Sequence, residues 1–197
     1  MYLPCTMGDT VYNKEHDVDS GAFYASMRAG SMPTTSQVNS EDAKKCWLPI
    51  LEAGKEILHL AFSSGLSGTY NSCRIAAEEL MEVHPDYKIL VVDSLCASMG
   101  QGLLLHKALE LKKQGKSIDE VHTWLEENKL HLCHVFTVDD LMHLHRGGRV
   151  SRMSAVLGTM INIKPMLHVD NEGHLILLSK VRGLSLIHIS EPTRRRG

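Results

Sequence analysis

The sequence predicts an α/β fold whose N-terminal part is built on a parallel sheet. Three observations carry that prediction. Ile57 to Phe62 is a short apolar run bounded by Gly54 and by a Ser/Gly cluster, the pattern of a buried strand. Lys88-Ile89-Leu90-Val91-Val92-Asp93 is a second such run. Each passes into a segment of helical period, Asn71 to Val83 after the first and Ser94 through Leu111 after the second. Strand, helix, strand, helix in that rhythm implies parallel strands joined by right-handed crossovers. Ligands of such sheets sit beyond the carboxyl ends of the strands, where the turns from Ser63 to Thr69 and from Asp93 to Ser98 fall.

In chain order, Met1 to Tyr12 reads as a short extended piece, a Gly8-Asp9 turn and a second extended piece from Thr10. A domain seldom begins so abruptly, so further residues are expected upstream. Asp19 or Ser20 can cap a helix that carries Phe23, Tyr24 and Met27 and ends near Gly30. Met32 to Ser40 is a hydroxyl-rich loop, and Asn39 or Ser40 caps the next helix, with Ala43, Trp47, Ile50 and Leu51 on its apolar side. The helix after the first buried strand packs through Cys73, Ala76, Ala77, Leu80 and Met81. The helix after the second packs through Leu103, Leu104, Leu105, Ala108 and Leu111, and Gly115 stops it. Ser117-Ile118-Asp119-Glu120 is a capping box that opens a helix with Ile118, Val121, Trp124 and Leu125 inward. Leu130 to Val138 reads as a strand, followed by Asp139-Asp140-Leu141 and by Arg146-Gly147-Gly148-Arg149. A helix through Met153, Val156, Leu157 and Met160 comes next, then a hairpin from Pro165 to Val181 turning at Asp170-Asn171-Glu172-Gly173. The change from alternation to hairpin divides the chain into an N-terminal α/β lobe, 1–128, and the start of a second lobe, 129–183. The segment 184–197, LSLIHISEPTRRRG, offers no face for packing and is similar to translated sequencing-adapter sequence. It is set aside as a non-native tail, the alternative being a native basic tail for acidic partners.

The 197 residues are 43% hydrophobic and 22% charged, which is enough apolar material for a core. A net charge of −2 gives no electrostatic case for nucleic acid or a membrane surface as partner. Cys5, Cys46, Cys73, Cys96 and Cys133 are odd in number and form no C-x-x-C pair, which argues against a disulfide framework and for a reducing cytoplasm. No segment has the apolar length of a membrane span, and no signal peptide is visible. The ten methionines suit an irregular apolar cavity, although core filling accounts for each one singly.

Chemistry concentrates in Phe62-Ser63-Ser64-Gly65-Leu66-Ser67-Gly68-Thr69-Tyr70. A strand turning into a helix through small hydroxyl residues is suited to an anion, because the first helical N–H groups lack internal partners and the macrodipole favours negative charge. A plain connection capped by Ser67 or Thr69 uses the same residue types. The turn also resembles a nucleophile elbow, with Ser67 or Ser64 as a serine hydrolase's nucleophile, but Thr69 stands where G-x-S-x-G requires glycine and nothing marks His134, His143 or His145 as a base. Neither a P-loop nor a G-x-G-x-x-G fingerprint is present. No metal site is expected: His131 and His134 on a strand point to opposite faces, His143 and His145 diverge on a helix, and adjacent carboxylates such as Asp139-Asp140 rarely converge on one ion. Arg146 and Arg149 form either an anion- or partner-docking loop or a solvated surface turn.

Several separated segments resemble one family. The Phe62–Tyr70 turn, Pro33-Thr34-Thr35-Ser36-Gln37, Asp93-Ser94 with Ala97-Ser98-Met99-Gly100, Asp139-Asp140-Leu141 leading to Gly147-Gly148-Arg149-Val150, and Asn162-Ile163-Lys164-Pro165 with Lys180-Val181-Arg182 are similar, in order, to the motifs of the DegV fatty-acid-binding proteins of bacteria. The resemblance implies a DegV-like two-lobe α/β fold with one long-chain fatty acid in a tunnel between the lobes. It implies a carrier with no catalytic residue, no cofactor and no metal, whose bound carboxylate a separate fatty acid kinase phosphorylates for phospholipid synthesis. Transient contact with a membrane enzyme also follows. The carboxylate ligands fall on Thr34 or Thr35 and on Ser64 with Gly65, and kinase docking falls on Arg149. Val38 stands where the family usually has Pro. The family's first strand is missing before Met1, and most of its second lobe, with a carboxylate-gripping His, is missing after Gly183. Such a fragment is expected to expose apolar surface and strand edges and to be a poorly stable, weak binder.

Overall fold

Cys5–Met7 (β1) and Thr10–Tyr12 (β2) pair antiparallel around the Gly8-Asp9 turn in the computed structural model, which describes residues 1, 3–12, 18–138, 141–150 and 164–181. Thr34–Thr35 (β3) pairs with β1, Thr35 opposite Cys5 and Thr34 opposite Thr6. The Met32–Ser40 stretch, expected as loop throughout, therefore contributes a two-residue strand. Its pairing is with a distant segment, which no local period reveals.

Ser20–Arg28 (α1) is capped by Asp19, whose Oδ1 accepts the N–H groups of Gly21 at 2.9 Å and Ala22 at 3.2 Å. Ser40–Glu52 (α2) is capped by Asn39, which accepts the Asp42 N–H at 2.8 Å. Ala43, Trp47 and Leu51 recur every fourth residue and are buried, while Ile50 lies off that row and is exposed. Ile57–Ala61 (β4) and Ile89–Asp93 (β5) pair in parallel, from Ile57 opposite Ile89 to Ala61 opposite Asp93. Thr69–Val83 (α3) follows β4, and Ser98–Lys113 (α4) and Ile118–Asn128 (α5) follow β5. The expected alternation is the observed one.

The core joins the α2 row to Cys73, Ala76, Ala77 and Leu80 of α3 and to Ile57 and Ile89 of the strands. Full burial of a side chain such as Leu51 contributes about 1.5–3 kcal/mol. On α4, Leu104 and Ala108 are buried, but Leu103 and Leu105 are about half exposed, at 48% and 50%. Three consecutive leucines cannot share one face, because neighbours stand roughly 100° apart around a helix. These elements make up the first of two compact units, Met1–Lys129; the second is Leu130–Gly197.

In the second unit the expected strand from Leu130 to Val138 shrinks to Val135–Thr137 (β6). The cause lies upstream. Lys129 donates its N–H to Leu125 O and Asn128 Nδ2 donates to Trp124 O at 2.8 Å, so the chain winds on from α5 into a 3-10 turn over Lys129–His131. His131 is therefore not on a strand, and the opposed-faces argument for His131 and His134 does not apply. Leu141–Arg146 (α6) follows. Lys164–Val169 (β7) pairs antiparallel with β6 and with Leu175–Val181 (β8), giving the order β6-β7-β8, with an irregularity between Met166 and Leu167. The expected hairpin is present, and Met166, Leu167, Val169 and Leu175 are buried. The helix expected through Met153, Val156, Leu157 and Met160, the pair Asp139-Asp140, Asn162, Ile163, Arg182 and the tail from Leu184 lie outside the described residues. Among the described residues no helix is long and apolar enough to cross a membrane.

Candidate functional site

The parallel strands β4 and β5 end side by side, and the two turns that leave them are laced together. Ser94 donates its N–H to Ala61 O at 3.2 Å, and Ser63 donates its N–H to Cys96 O at 3.0 Å. Asp93, the last residue of β5 and only 8% exposed, turns its Oδ1 to both turns. That oxygen accepts the N–H of Ser64 at 3.1 Å and the N–H of Leu95 at 3.1 Å. Ser94 Oγ accepts the Cys96 N–H at 3.1 Å, and Gln101 Nε2 reaches back to Leu60 O at 3.0 Å. Leu95 and Ser98 adopt left-handed φ values of 50° and 47°. That conformation costs L residues of this kind about 1–2 kcal/mol each, and the surrounding bonds must hold it.

Within the first turn four further backbone amides are engaged. Gly65 N–H goes to Ser63 Oγ at 3.2 Å, Leu66 and Ser67 N–H groups go to Ser63 O at 3.1 Å each, and Thr69 N–H goes to Ser67 Oγ at 3.2 Å. Gly68 occupies the cap position of α3 and supplies no side-chain cap; Ala97 does likewise at α4. Helix α3 thus starts two residues before the expected Asn71, uncapped by Ser67 or Thr69 in the usual sense. Beside Ser64 and Gly65, whose amides are bonded, an anion would be met by the Ser64 hydroxyl. Ser64 is exposed, Gly65 beside it is half-buried, and among the described residues the Ser64 hydroxyl has no hydrogen-bond partner.

The Thr-Ser-Gln segment is fastened to the same helix start. Val38 donates its N–H to Thr69 Oγ1 at 3.3 Å, and Gln37 Nε2 donates to Ser72 Oγ at 3.3 Å. The Gln37 amide lies so close over Gly68 that a Cβ there would fall 2.0 Å from Gln37 Oε1. Gly68 is thus a close-approach glycine. Thr34 and Thr35 precede this clamp, are exposed, and among the described residues their hydroxyls carry no hydrogen bond. Gln37 and Asp93 act here in ways the motifs did not announce. A carboxylate ending a buried strand was the available signal for Asp93.

Arg149 lies in the second unit. Gly148 has φ +77° and donates to His145 O at 2.8 Å, and Arg149 N–H donates to Leu144 O at 3.3 Å. This is a Schellman closure of α6, which needs glycine in the left-handed position. It leaves Arg149 exposed just past the helix end, with its guanidinium donating to Gly147 O.

Nucleophilic and metal readings find little support in these contacts. Ser67 Oγ is 3.0 Å from Thr69 Oγ1, and among the described residues no histidine hydrogen-bonds Ser64 or Ser67. His59 instead packs edge-on against Trp47, and burial, reinforced by the positive N-terminus, pushes its pKa down to about 4. Burial pushes the Cys73 and Cys96 thiols up to about 11, away from the reactive thiolate. Asp170, Glu172 and His174 place ligand atoms within 4.8 Å of one another, a grouping that sequence reasoning missed. Asp170 Oδ1 accepts the N–H groups of Glu172 at 3.0 Å and His174 at 2.9 Å, which accounts for the grouping as hairpin-turn chemistry.

The profile described as "Uncharacterised protein, DegV family" matches residues 1–186. The chain belongs to the DegV family. Among curated DegV relatives it is 50% identical over 183 residues to the DegV domain-containing protein CPE0026 of Clostridium perfringens, covering 92% of this chain and 63% of that protein. It is 43% identical to the DegV domain-containing protein YteA of Lactococcus lactis, with the same coverage. The chain thus spans less than two thirds of the length of these relatives. Among solved structures it superposes on the fatty-acid-binding DegV protein of Thermus thermophilus with a TM-score of 0.80 at 33% identity, covering 92% of this chain and 63% of that one. It superposes on DegV of Bacillus subtilis, described as a fatty acid binding protein, with a TM-score of 0.78 at 30% identity, covering 96% of this chain and 67% of that one. The mixed α/β architecture is the DegV fold.

Proposed function

We propose that this DegV chain is a carrier for a long-chain fatty acid and performs no chemistry of its own. The acyl carboxylate is held by the hydroxyls of Thr34 or Thr35 and of Ser64, with Gly65 giving it room to approach. The observation that carries the reading is the set of exposed hydroxyls, without a partner among the described residues, at two elements fastened to one helix start, in a chain whose solved relatives are described as fatty-acid-binding. In this reading the acid is presented to a separate kinase that makes the acyl-phosphate for phospholipid synthesis in the cytoplasm. Arg149, displayed by the Gly147-Gly148 closure, suits docking of that partner through its forked guanidinium.

Mass spectrometry of the purified protein under native conditions tests the first part, with a co-purifying long-chain acid as the expected result. Ser64→Ala should lower fatty-acid affinity about fivefold or more, the loss of roughly 1–3 kcal/mol that one hydroxyl bond to a carboxylate makes. Unchanged affinity removes Ser64 from the site, and covalent capture of Ser64 or Ser67 by a fluorophosphonate overturns the carrier reading.

A further inference from the structure

Asp93 brings a carboxylate to these turns and engages its Oδ1 with backbone amides. It is buried at the end of β5, and its Oδ1 takes the amide of Ser64 from one turn and the amide of Leu95 from the other. The Ser64 bond joins residues 29 apart in sequence. It acts on the residue whose hydroxyl is assigned to the acyl head group. The Leu95 bond steadies a left-handed residue that would otherwise relax toward ordinary backbone. Hydrogen bonds to an ionised acceptor are roughly twice as strong as neutral ones, so a single carboxylate oxygen can hold both turns.

The geometry points to Asp93 as a positioning residue for the fatty-acid head group: it fixes the backbone of Ser64, and thereby where the Ser64 hydroxyl points. This inference rests on the carrier reading above, and it assigns to a residue off the ligand the task of orienting one that touches it. Ser63 and Ser94 brace the same turns, Ser63 Oγ accepting the Gly65 N–H and Ser94 Oγ the Cys96 N–H. Asp93 is the side chain that ties Ser64 itself to the neighbouring strand.

A chain-matched pair of probes separates positioning from general damage. Palmitic acid presents a carboxylate and hexadecanol presents none, while both bury the same tail. Asp93→Ala should weaken palmitate binding about tenfold and leave hexadecanol within about twofold. Asp93→Asn keeps an acceptor oxygen and should restore most of the palmitate affinity. Ser64→Ala combined with Asp93→Ala should bind palmitate no worse than Ser64→Ala alone, because the second change acts through the first. Equal loss for both probes, or additive losses in the double variant, overturns the assignment. Amide hydrogen exchange supplies an arm that needs no ligand. Ser64 and Leu95 should exchange faster in Asp93→Ala than in Asp93→Asn, with Ala77 in α3 unchanged, and equal protection of Ser64 in both variants overturns the link. If Ser64→Ala leaves palmitate binding intact while the exchange pattern holds, Ser64 is not a head-group ligand and the positioning role falls, whereas a wild-type chain that binds neither probe overturns the carrier reading itself.

Discussion

Gly68→Ala tests how firmly the Thr-Ser-Gln segment is seated on α3. The backbone at Gly68, φ −71° and ψ 0°, is open to any residue, so the obstacle is steric alone. A Cβ there would meet Gln37 Oε1 at 2.0 Å, Cδ at 2.8 Å and Nε2 at 3.1 Å. The Gln37 amide must swing away, and its bond to Ser72 Oγ goes with it. An exposed bond of this kind contributes about 0.5–1.5 kcal/mol. Alanine is also a poorer cap residue than glycine by about the same amount. Against these, alanine restricts the unfolded chain, worth about 0.4–1 kcal/mol in the other direction. The net expectation is a loss of about 1 kcal/mol, read as a lower urea midpoint at unchanged slope. The decisive measurement is the cycle with Gln37→Ala. Once the amide has gone, Gly68→Ala should cost close to nothing, giving a coupling of about 1 kcal/mol. An undiminished cost in the Gln37→Ala background would refute the clamp.

Stability should also follow pH through His59. Its folded pKa lies near 4 against an ordinary 6.5, so the unfolded chain takes the proton first. Its contribution is fully present above pH 6.5 and drains away as pH falls toward 4, by about 3 kcal/mol in all. Urea titrations at stepped pH should show this slope in the wild type and lose it in His59→Phe, which keeps a ring against Trp47. Helix α5 depends on its capping box, in which Ser117 Oγ accepts the Glu120 N–H at 3.2 Å and Glu120 Oε2 accepts the Ser117 N–H at 2.8 Å. Ser117→Ala should therefore cost about 1 kcal/mol and lower Tm by roughly 2–4 °C, which calorimetry checks.

What the sequence made legible was what acts over a few residues. Asp19, Asn39 and Ser117 cap the helices they were expected to cap, and the apolar runs became β4 and β5 because each had turn chemistry on both sides. What stayed hidden depends on distant partners. β3 is two exposed threonines, and it is a strand only because β1 lies beside it. The 3-10 turn at Lys129–His131 replaces strand because α5 runs on past Asn128. For the site, composition marked the hydroxyl turn and the Thr-Ser-Gln segment. The bonds that fasten them, Val38 to Thr69, Gln37 to Ser72 and Ser64 to Asp93, span 29 to 35 positions, beyond any local pattern.

Ser63 and Ser64 are neighbours of one residue type with opposite duties. Ser63 is wholly enclosed, and its amide, carbonyl and hydroxyl are all engaged in shaping the turn; Ser64 keeps its hydroxyl outward. A mutational survey scored on protein abundance would single out the former and pass over the latter, whereas, on the carrier reading proposed above, one scored on lipid capture would penalise both. The contrast between the two maps separates architecture from recognition at adjacent positions.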